Sequence, residues 1–429
     1  MLSPHCNFRF LRLTGISFLL ATASLAAPLP HDAYIWQRDW SPAVTTAITN
    51  SAPSIRHFIA LGAEISFRTT SPTVVNVPAK LPNAGIALRI GSYRGDFNAA
   101  TNLIATVAAR LLRDHKPTEL QIDFDCAESK LTGYRQWLTA LRTVTGNTPL
   151  IITALPSWLR QPAFSNLVTA TDGFVLQVHS LDASLTLCDP VKARQAVEQA
   201  DRLGIPFRVA LPTYGYLVAT DPAGKLIGVS AETPSRNWPA NARLHVARSD
   251  AAAMSSLVQH WNTHRPANLT GIIWYRLPIE TDRLNWRWPT LAAIIAGRTP
   301  QANLRAIATT TKPGLVEISL RNDGDADADL PAQIEVGAHC VRPAATLEHE
   351  VGARSAPLPG WSNYTGNAII ACDALAGYDK SLLASNRCRL TGTPTLALET
   401  LAPGESRKIG WMRLQENKEA VVELSIVPP

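Results

Sequence analysis

The sequence lacks three features that would point to particular classes of protein. Beyond the N-terminal segment, no stretch approaches the roughly 20 uninterrupted apolar residues that a membrane-spanning helix needs, so we expect no transmembrane segment. The basic residues form no run and the formal net charge is +6, so we predict no nucleic-acid partner. None of the six cysteines lies in a CxxC pair, which argues against a structural zinc site.

Residues 1–27 have the pattern of a secretory signal peptide. Arg9 and Arg12 precede an apolar run from Gly15 to Leu20, and small residues follow up to Ala27. Cleavage would remove two arginines and no acidic residue, which lowers the net charge from +6 to +4. We therefore expect a periplasmic or secreted protein, in a compartment where disulfides persist.

Eight apolar runs of strand length, separated by polar turns and helical patterns, fill residues 33–297. The predicted strands are Ala33–Trp40, Arg56–Ser66, Gly85–Tyr93, Glu119–Asp125, Pro149–Leu155, Gly173–Ser180, Pro206–Pro212 and Gly271–Leu277. Apolar residues recur at helical spacing from Leu103 to Leu112, from Val191 to Leu203 and from Met254 to Trp261. Alternating strands and helices indicate a parallel sheet with right-handed crossovers, and eight such units match the size of a closed (β/α)8 barrel.

An open, doubly wound α/β sheet is the competing fold. The polar residues of the strands favour the barrel, because they all fall on the face opposite the bulky aliphatic residues: Glu64, Arg89, Asp123, Asp125, Gln177 and His179. A barrel has one enclosed interior where such groups can meet, whereas an open parallel sheet buries both faces under helices. We therefore predict an α/β protein with a TIM-like (β/α)8 barrel over residues 28–299.

Two further segments are predicted from turn signals. Leu217–Thr220 and Lys225–Val229, separated by Asp-Pro-Ala-Gly, predict a hairpin inserted at the top of the barrel. Beyond residue 300 the pattern changes to short strands divided by turns such as Asn322-Asp-Gly-Asp. Residues 300–429 are therefore predicted to form a separate all-β sandwich domain.

Five cysteines remain after the signal peptide, so at least one is free. We expect Cys372 to pair with Cys388, with Cys340 as the competing partner. Cys126 and Cys188 both follow predicted barrel strands, which leaves a pairing between them open.

Asp123 and Asp125 occupy one face of the fourth predicted strand, opposite Leu120, Ile122 and Phe124. A helical pattern starts at Leu131, so the two aspartates lie at the C-terminal end of a strand that leads into a helix. Barrels of this kind carry their catalytic groups at that end.

The strands resemble those of the family 18 glycoside hydrolases, which are chitinase-like barrels. Asp123-Phe-Asp125 is similar to the family's fourth-strand motif Asp-x-x-Asp-x-Asp-x-Glu, and Phe207–Gly215 is similar to its seventh strand. Gly271–Trp274 is similar to its eighth strand, where a tryptophan forms the floor of the sugar site. The whole layout, starting with Trp36-Gln-Arg-x-Trp40, more closely resembles a bacterial family known only as domain of unknown function 3142, which implies a fold and no activity.

The chain departs from the hydrolase motif at two positions. Leu120 replaces the first Asp, and Ala127 replaces the Glu that protonates the leaving oxygen in the family. In that family the acetamido group of the substrate is the nucleophile, and the Asp at the position of Asp125 holds it. Glu128 comes one residue late, and strand parity directs it to the wrong face unless a β-bulge at Cys126-Ala127 turns it back.

The candidate site has ten members, and each could also have a purely structural role. The catalytic candidates are Asp125, Glu128 and Asp123; the substrate-binding candidates are Trp36, Glu64, Tyr93, Gln177, His179, Tyr214 and Trp274. The aromatic faces suit the apolar side of a pyranose ring, although they can also simply pack. Asp123 can likewise form a structural ion pair with Arg89.

These patterns predict a secreted glycoside hydrolase that acts on a β-linked envelope or extracellular glycan. The alternative is a non-catalytic glycan-binding or scaffold protein on a degenerate barrel, which the loss of the acid at Ala127 favours. A third hypothesis, a metal-dependent hydrolase using Asp123, Asp125 and His179, lacks a familiar spacing such as HExxH. We predict no metal and no cofactor.

Overall fold

The computed structural model describes residues 27–429 except for the positions given at the end of this sentence: 70, 79–80, 82, 183, 232–237, 240, 314, 330–332, 338–339, 343–386, 392–399, 415–422 and 428–429. The predicted signal peptide and Cys372, and with it the predicted Cys372–Cys388 disulfide, lie outside the described residues. None of the helices in the described part of the chain is long and apolar enough to cross a membrane.

Strands and helices alternate along the first 297 residues. The strands are β1 (His31–Ile35), β2 (Phe58–Ile65), β3 (Thr73–Val74), β4 (Ala84–Ile90), β5 (Leu120–Asp123), β6 (Leu150–Ala154), β7 (Gly173–Gln177), β8 (Phe207–Pro212), β9 (Gly215–Thr220), β10 (Leu226–Ser230), β11 (Arg243–Arg248) and β12 (Leu269–Tyr275). The helices are α1 (Pro42–Ser51), α2 (Phe97–His115), α3 (Leu131–Thr145), α4 (Pro162–Val168), α5 (Pro190–Asp201), α6 (Ala251–Thr263) and α7 (Trp288–Ile295), with short 3-10 helices at Glu128–Lys130 and Pro156–Arg160.

Eight parallel strands form a closed barrel. They follow one another around the ring in the order β1, β2, β4, β5, β6, β7, β8 and β12, and β1 closes the ring by pairing with both β2 and β12. Ala33, for example, is in register with Phe58 on one side and with Trp274 on the other. The closed ring with its surrounding helices confirms the predicted (β/α)8 barrel and contradicts the open-sheet alternative.

Three of the barrel helices begin at an aspartate that caps the helix. Asp96 accepts a hydrogen bond from the backbone N–H of Asn98, Asp189 does the same at the start of α5, and Asp250 at the start of α6. Such caps satisfy N–H groups that have no partner within the helix. Between β2 and β4 the described residues contain the short strand β3, antiparallel to β2, and no helix.

The predicted hairpin after β8 is present as part of a three-stranded antiparallel sheet. Strand β9 lies between β10 and β11, and the β9–β10 turn is held by Asp221, whose side chain accepts from the backbone N–H groups of Ala223 and Lys225. Because β9 starts three residues after β8 ends, this sheet rises from the C-terminal end of the barrel.

The chain beyond the barrel is all-β where it is described. Its strands are β13 (Leu304–Lys312), β14 (Leu315–Asn322), β15 (Ala328–Asp329), β16 (Gln333–Gly337), β17 (Cys340–Arg342), β18 (Arg387–Thr391), β19 (Thr400–Leu401), β20 (Ser406–Leu414) and β21 (Glu423–Val427). They form antiparallel sheets in the orders β13-β14-β20-β17, β15-β19 and β18-β16-β21. The all-β character is confirmed, and the arrangement of these sheets as a sandwich domain stays a prediction.

Charged side chains fill the N-terminal end of the barrel interior. Arg208 of β8 donates to Asp32 Oδ2 at 2.8 Å and to Glu119 Oε1 at 2.6 Å, and Arg56 donates to both oxygens of Asp32. Gln121 extends this network upward, since it donates to Glu119 and accepts from the Tyr34 hydroxyl at 2.6 Å. Each buried charge thus faces an opposite charge, which closes this end of the barrel and leaves the C-terminal end for ligands.

Candidate functional site

Polar side chains from five neighbouring strands meet at the C-terminal end of the barrel. Glu64 of β2 is in register with Arg89 of β4, and Arg89 is in register with Asp123 of β5. Thr153 of β6 and Gln177 of β7 continue the row, and both donate to Asp123. The sequence prediction that these groups share one interior is therefore confirmed by their contacts.

Asp123 lies at the base of the barrel mouth and is buried. Its Oδ1 accepts from Thr153 Oγ1 at 2.9 Å and from Gln177 Nε2 at 3.3 Å. Burial raises its pKa above the usual value, against the opposing charge of Arg89. Arg89 lowers the pKa of Asp123 through its charge and forms no ion pair with it. Among the described residues its only acidic partner within 4 Å is Glu64, at 3.9 Å. The predicted Asp123–Arg89 ion pair is thus replaced by hydrogen bonds from two neutral side chains.

Asp125 lies two residues further along, beyond the end of β5, and is exposed to solvent. Protein atoms still surround much of its carboxyl group, because the mouth is concave. This burial and, to a smaller extent, the nearby charge of Asp123 raise the pKa of Asp125 to about 6, against the opposing effect of Arg89. The two carboxyl groups therefore titrate as an interacting pair, as a pair for proton transfer requires.

Glu64 is held by an arginine from the β1–α1 loop. Arg38 donates from its Nε to Glu64 Oε2 at 2.6 Å and from a terminal nitrogen to Oε1 at 2.9 Å. Both carboxylate oxygens are therefore occupied by a two-pronged ion pair. Glu64 therefore contributes charge to the mouth, with both of its oxygens engaged by Arg38.

Tyr275, the last residue of β12, is the centre of an aromatic cluster at the mouth. Its ring stacks on His179 with centroids 5.6 Å apart, and it makes edge contacts with Trp36 and Tyr214 at 5.5 Å and with Tyr34 at 5.8 Å. The charges of Arg89 and Asp123 act on its hydroxyl group. The structure thus brings the predicted residues Trp36, His179 and Tyr214 together, around a tyrosine that the sequence motifs did not single out.

Two ring nitrogens of this cluster are buried and have no hydrogen-bond partner in the described part of the chain. They are Nε2 of His179 and Nε1 of Trp36. His179 Nδ1 is hydrogen-bonded to the Tyr214 hydroxyl at 3.1 Å, and burial lowers the pKa of the imidazole to about 4, so the ring is neutral. Unpaired buried polar atoms are rare in folded proteins, so these two ring nitrogens need an explanation such as a bound water molecule or a functional role.

Trp274 does not reach the mouth, contrary to the prediction. It is fully buried, its Nε1 donates to Nδ1 of His31 at 3.1 Å, and its ring also contacts Trp286. Successive side chains of a strand point to opposite faces, so Tyr275 occupies the interior and Trp274 the opposite side. The residue that fits the predicted sugar-site floor is therefore Tyr275.

Tyr93 is likewise placed away from the carboxyl pair. Its ring packs among Phe67, Phe97 and Trp137, and its hydroxyl donates to the backbone oxygen of Asp96. The strand that was predicted to extend to Tyr93 ends at Ile90, so the side chain follows the loop into helix packing. The structure supports the packing role for this residue and gives it no contact with the mouth.

Glu128 lies on the outer side of the barrel rim. It begins the 3-10 helix after β5, is exposed, and its Oε2 accepts from Gln161 Nε2 at 2.6 Å. The strand ends at Asp123, so Cys126 and Ala127, where a bulge was the condition for turning Glu128 inward, lie beyond β5 in the connection to the 3-10 helix. The structure therefore separates Glu128 from the aspartate pair.

One family model matches the central part of the chain. Residues 94–280 match the family described as Domain of unknown function (DUF3142). This confirms the closer of the two resemblances predicted from the sequence. The segment that matches DUF3142 contains Asp123, Asp125, His179, Tyr214 and Tyr275, whereas Trp36 and Glu64 precede it.

Solved structures similar to the chain include chitinase-like barrels. A chitinase from Chromobacterium violaceum ATCC 12472 shares 14% identity over 63% of this chain and 98% of its own, with a TM-score of 0.44. The spore cortex-lytic enzyme SleL from Bacillus megaterium QM B1551 shares 12% over 63% and 74%, with a TM-score of 0.48. A class V chitinase from Pseudomonas fluorescens Pf-5 shares 12% over 63% and 99%, with a TM-score of 0.46.

These are likenesses at low identity and low TM-score. At such low identity they assign neither a substrate nor an activity to this chain. No curated protein matches the sequence. What the DUF3142-related barrel does must therefore be argued from its own side chains.

Two further features of the barrel bear on its chemistry. Cys126 and Cys188 are both free and buried, so the disulfide left open between them is not formed. Burial raises the pKa of each thiol to about 12, which keeps them protonated and poor nucleophiles. Among the described residues no three His, Cys, Asp or Glu side chains are grouped so that they could hold a metal ion, and Asp123, Asp125 and His179 therefore form no such set.

Two residues that the sequence motifs missed, Tyr275 and Thr153, could have been placed in the interior from the alternation of side chains along their strands. Tyr275 shares the face of Ile273 and Gly271, and Thr153 lies beside Asp123 in the neighbouring strand. Arg38 could not be found in this way, because it comes from a loop and is identified only by its contact with Glu64.

Proposed function

We propose that the mouth of this barrel binds a β-linked glycan and hydrolyses it, with Asp125 as the proton donor. The observation that carries the proposal is the interacting carboxyl pair of Asp123 and Asp125, in which the exposed member has a pKa of about 6. A carboxyl group with a raised pKa keeps its proton near neutral pH and can pass it to the oxygen of a leaving sugar.

The two aspartates would have different tasks. Asp125 faces solvent at the mouth and would protonate the glycosidic oxygen as its bond to the anomeric carbon breaks. A water molecule would then add to that carbon and return a proton to Asp125. Asp123 lies deeper, fixed by Thr153 and Gln177, and in its ionised form would stabilise the positive charge that develops on the sugar. Ala127 leaves no carboxyl group at the position of the family 18 acid, so Asp125 is the carboxyl group best placed to supply the proton.

The aromatic cluster would bind the sugar. Tyr275 is partly exposed next to the carboxyl pair, with the buried Trp36 and Tyr214 packed around it, and such an aromatic surface binds the apolar face of a pyranose. The neutral His179 and the Trp36 indole add hydrogen-bonding atoms that lack protein partners. Together with the predicted signal peptide, this supports a periplasmic or secreted protein that meets envelope or extracellular glycans.

A non-catalytic glycan-binding protein is the second candidate. It is supported by Ala127 and by the two remaining acids, since Glu64 is bound by Arg38 and Glu128 by Gln161. If Asp125 serves only to hold the ligand, the barrel binds without cleaving.

Turnover and binding of β-linked oligosaccharides, including chitotetraose, separate these candidates. We expect the purified mature protein to cleave at least one of them, and Asp125→Asn to bind it without cleaving. Binding by the wild type without turnover of any member would support the non-catalytic candidate. Turnover that survives Asp125→Asn but is lost in Glu128→Gln would move the proton donor to Glu128, and absence of binding throughout would contradict both candidates.

A further inference from the structure

A second cleft lies on the rim of the barrel, outside the aromatic cluster. It has a volume of about 440 Å³, within the range of roughly 300–1,000 Å³ that is common for small-molecule sites. Its walls are the 3-10 helices Glu128–Lys130 and Pro156–Arg160 and one face of α5 from Lys192 to Gln199. These segments follow β5, β6 and β7, so the cleft is at the same end of the barrel as the mouth, and Glu128 follows Asp125 by three residues.

The lining of this rim cleft is strongly polar. Its polar members are Glu128, Ser157, Arg160, Gln161, Lys192, Gln195 and Gln199. Three amide groups can each donate and accept hydrogen bonds, as the hydroxyl groups of a sugar require. None of the lining residues is aromatic, so the cleft is unlike the mouth and offers no ring face for stacking.

Some charged side chains of the rim cleft have polar partners and one has no acidic partner. Glu128 accepts from Gln161 at 2.6 Å, and Lys192 lies 3.3 Å from Asp189. Arg160 is exposed and has no acidic side chain within 4 Å in the part of the chain that the structure describes. Its guanidinium group is therefore available to a ligand, with Lys192 nearby to strengthen the positive charge.

We propose that the rim cleft binds an acidic sugar unit, with Arg160 pairing with its carboxylate and the glutamine amides with its hydroxyl groups. A guanidinium group presents parallel N–H donors that match the two oxygens of a carboxylate. The inference rests on the proposed function in one respect, since the same glycan is taken to extend from the mouth across Glu128 into the cleft. It assigns the substrate class: a β-linked glycan that carries carboxylates.

Two β-linked tetrasaccharides test this assignment by isothermal titration. Chitotetraose is neutral, whereas a hyaluronan tetrasaccharide carries a carboxylate on every second sugar. We expect the wild type to bind the acidic ligand more tightly at low salt, and Arg160→Gln to lower the ratio of acidic to neutral affinity by about 5-fold, the upper range for an exposed ion pair. Glu128→Gln should raise that ratio by about 2-fold, because it removes the opposing negative charge.

Arg113→Gln is the matched control, because Arg113 is an exposed arginine in the last turn of α2, a helix that does not line the rim cleft. It should leave the ratio of affinities unchanged. Equal affinity of the wild type for both ligands, an unchanged ratio in Arg160→Gln, or a lower ratio in Glu128→Gln would overturn the inference. If Asp125→Asn abolishes turnover while Arg160→Gln leaves the ratio of affinities unchanged, the acidic-sugar site in the rim cleft is contradicted and the proposed function is supported. If Arg160→Gln lowers the ratio but no saccharide is cleaved or bound at the mouth, the rim-cleft site is supported and the proposed function is contradicted.

Discussion

His179 and Tyr275 stack with their ring centroids 5.6 Å apart and their planes 20° from parallel. They come from the ends of β7 and β12, which are separated by β8 in the ring, so the stack crosses part of the barrel mouth. Tyr34, Trp36 and Tyr214 make edge contacts with the Tyr275 ring, which stays partly exposed. Tyr275 is therefore a fixed surface beside the carboxyl pair, and a ligand would meet it without first having to order it.

We expect Tyr275→Ala to weaken glycan binding by at least about 5-fold, the scale on which truncation of a central aromatic contact is felt. Tyr275→Phe keeps the ring and its contacts and should retain most of the affinity. Saccharide titration of the two variants measures the difference. Equal binding by Tyr275→Ala and the wild type would show that the ligand does not use this surface.

Trp274→Ala should have the opposite profile, because its side chain packs away from the mouth. It is fully buried against His31 and Trp286, and removing a buried tryptophan costs about 3–5 kcal/mol of unfolding free energy. Urea denaturation measures this loss. A Trp274→Ala protein that is as stable as the wild type but fails to bind saccharide would restore Trp274 to the site.

The eight barrel strands were predictable because their apolar residues repeat with the period of a strand. In β5, Leu120 and Ile122 face the helices while Gln121 and Asp123 face the interior, and this alternation is visible in the sequence alone. Strand ends were less predictable, since the chain leaves β4 at Ile90 and carries Tyr93 into a cluster formed by distant residues. The sequence contains no local signal for such a turn.

The site was predicted in part, and the errors have physical reasons. Two adjacent aromatic residues end β12, and the family motif selected Trp274, whereas the alternation of side chains along the strand directs Tyr275 inward. The direction of Glu128 is set by Gln161, which lies 33 residues away in the chain. The ion pair between Arg38 and Glu64 likewise depends on a loop conformation that no sequence periodicity indicates.

The pH dependence of hydrolysis tests the role of Asp125. Its pKa is raised to about 6, chiefly by burial and then by the charge of Asp123. A proton donor is active in its protonated form, so we expect kcat/KM to fall as the pH rises through this value. In Asp123→Asn the neighbouring negative charge is gone, the pKa of Asp125 falls, and the midpoint should move to lower pH. Asp114→Asn on the surface of α2 is the control, and a midpoint unchanged in Asp123→Asn would contradict the coupling.

The same raised pKa predicts how Asp125→Asn changes stability. The folded-state pKa of Asp125 lies above the usual value of 3.8, so folding favours the protonated form, and the ionised form weakens the fold increasingly as the pH rises from 3.8 to about 6. Asp125→Asn removes this penalty. We expect the variant to be more stable than the wild type above pH 6 and to lose that advantage in acid, as measured by urea denaturation across the pH range. An advantage that is the same at every pH would contradict the raised pKa.

The network at the closed end of the barrel should be a major source of stability. Arg208 is buried and pairs with Asp32 and Glu119, so Arg208→Met leaves two carboxylates facing the interior with less compensating charge and should cost about 3 kcal/mol of unfolding free energy.

Burial would raise the pKa of Asp32, but hydrogen bonds and charge from Arg56 and Arg208 hold it below the usual value. The ionised carboxylate therefore contributes stability above pH 3.8 that is lost as the pH falls through its lower folded-state pKa. We expect the loss of stability in Arg208→Met to be largest near neutral pH and to shrink in acid, where protonation removes the unpaired charges.

Urea denaturation measures both effects, with the exposed Arg202→Met as a control that should stay within about 0.5 kcal/mol of the wild type. A loss in Arg208→Met that is small, or that does not depend on pH, would show that packing rather than charge holds this end of the barrel.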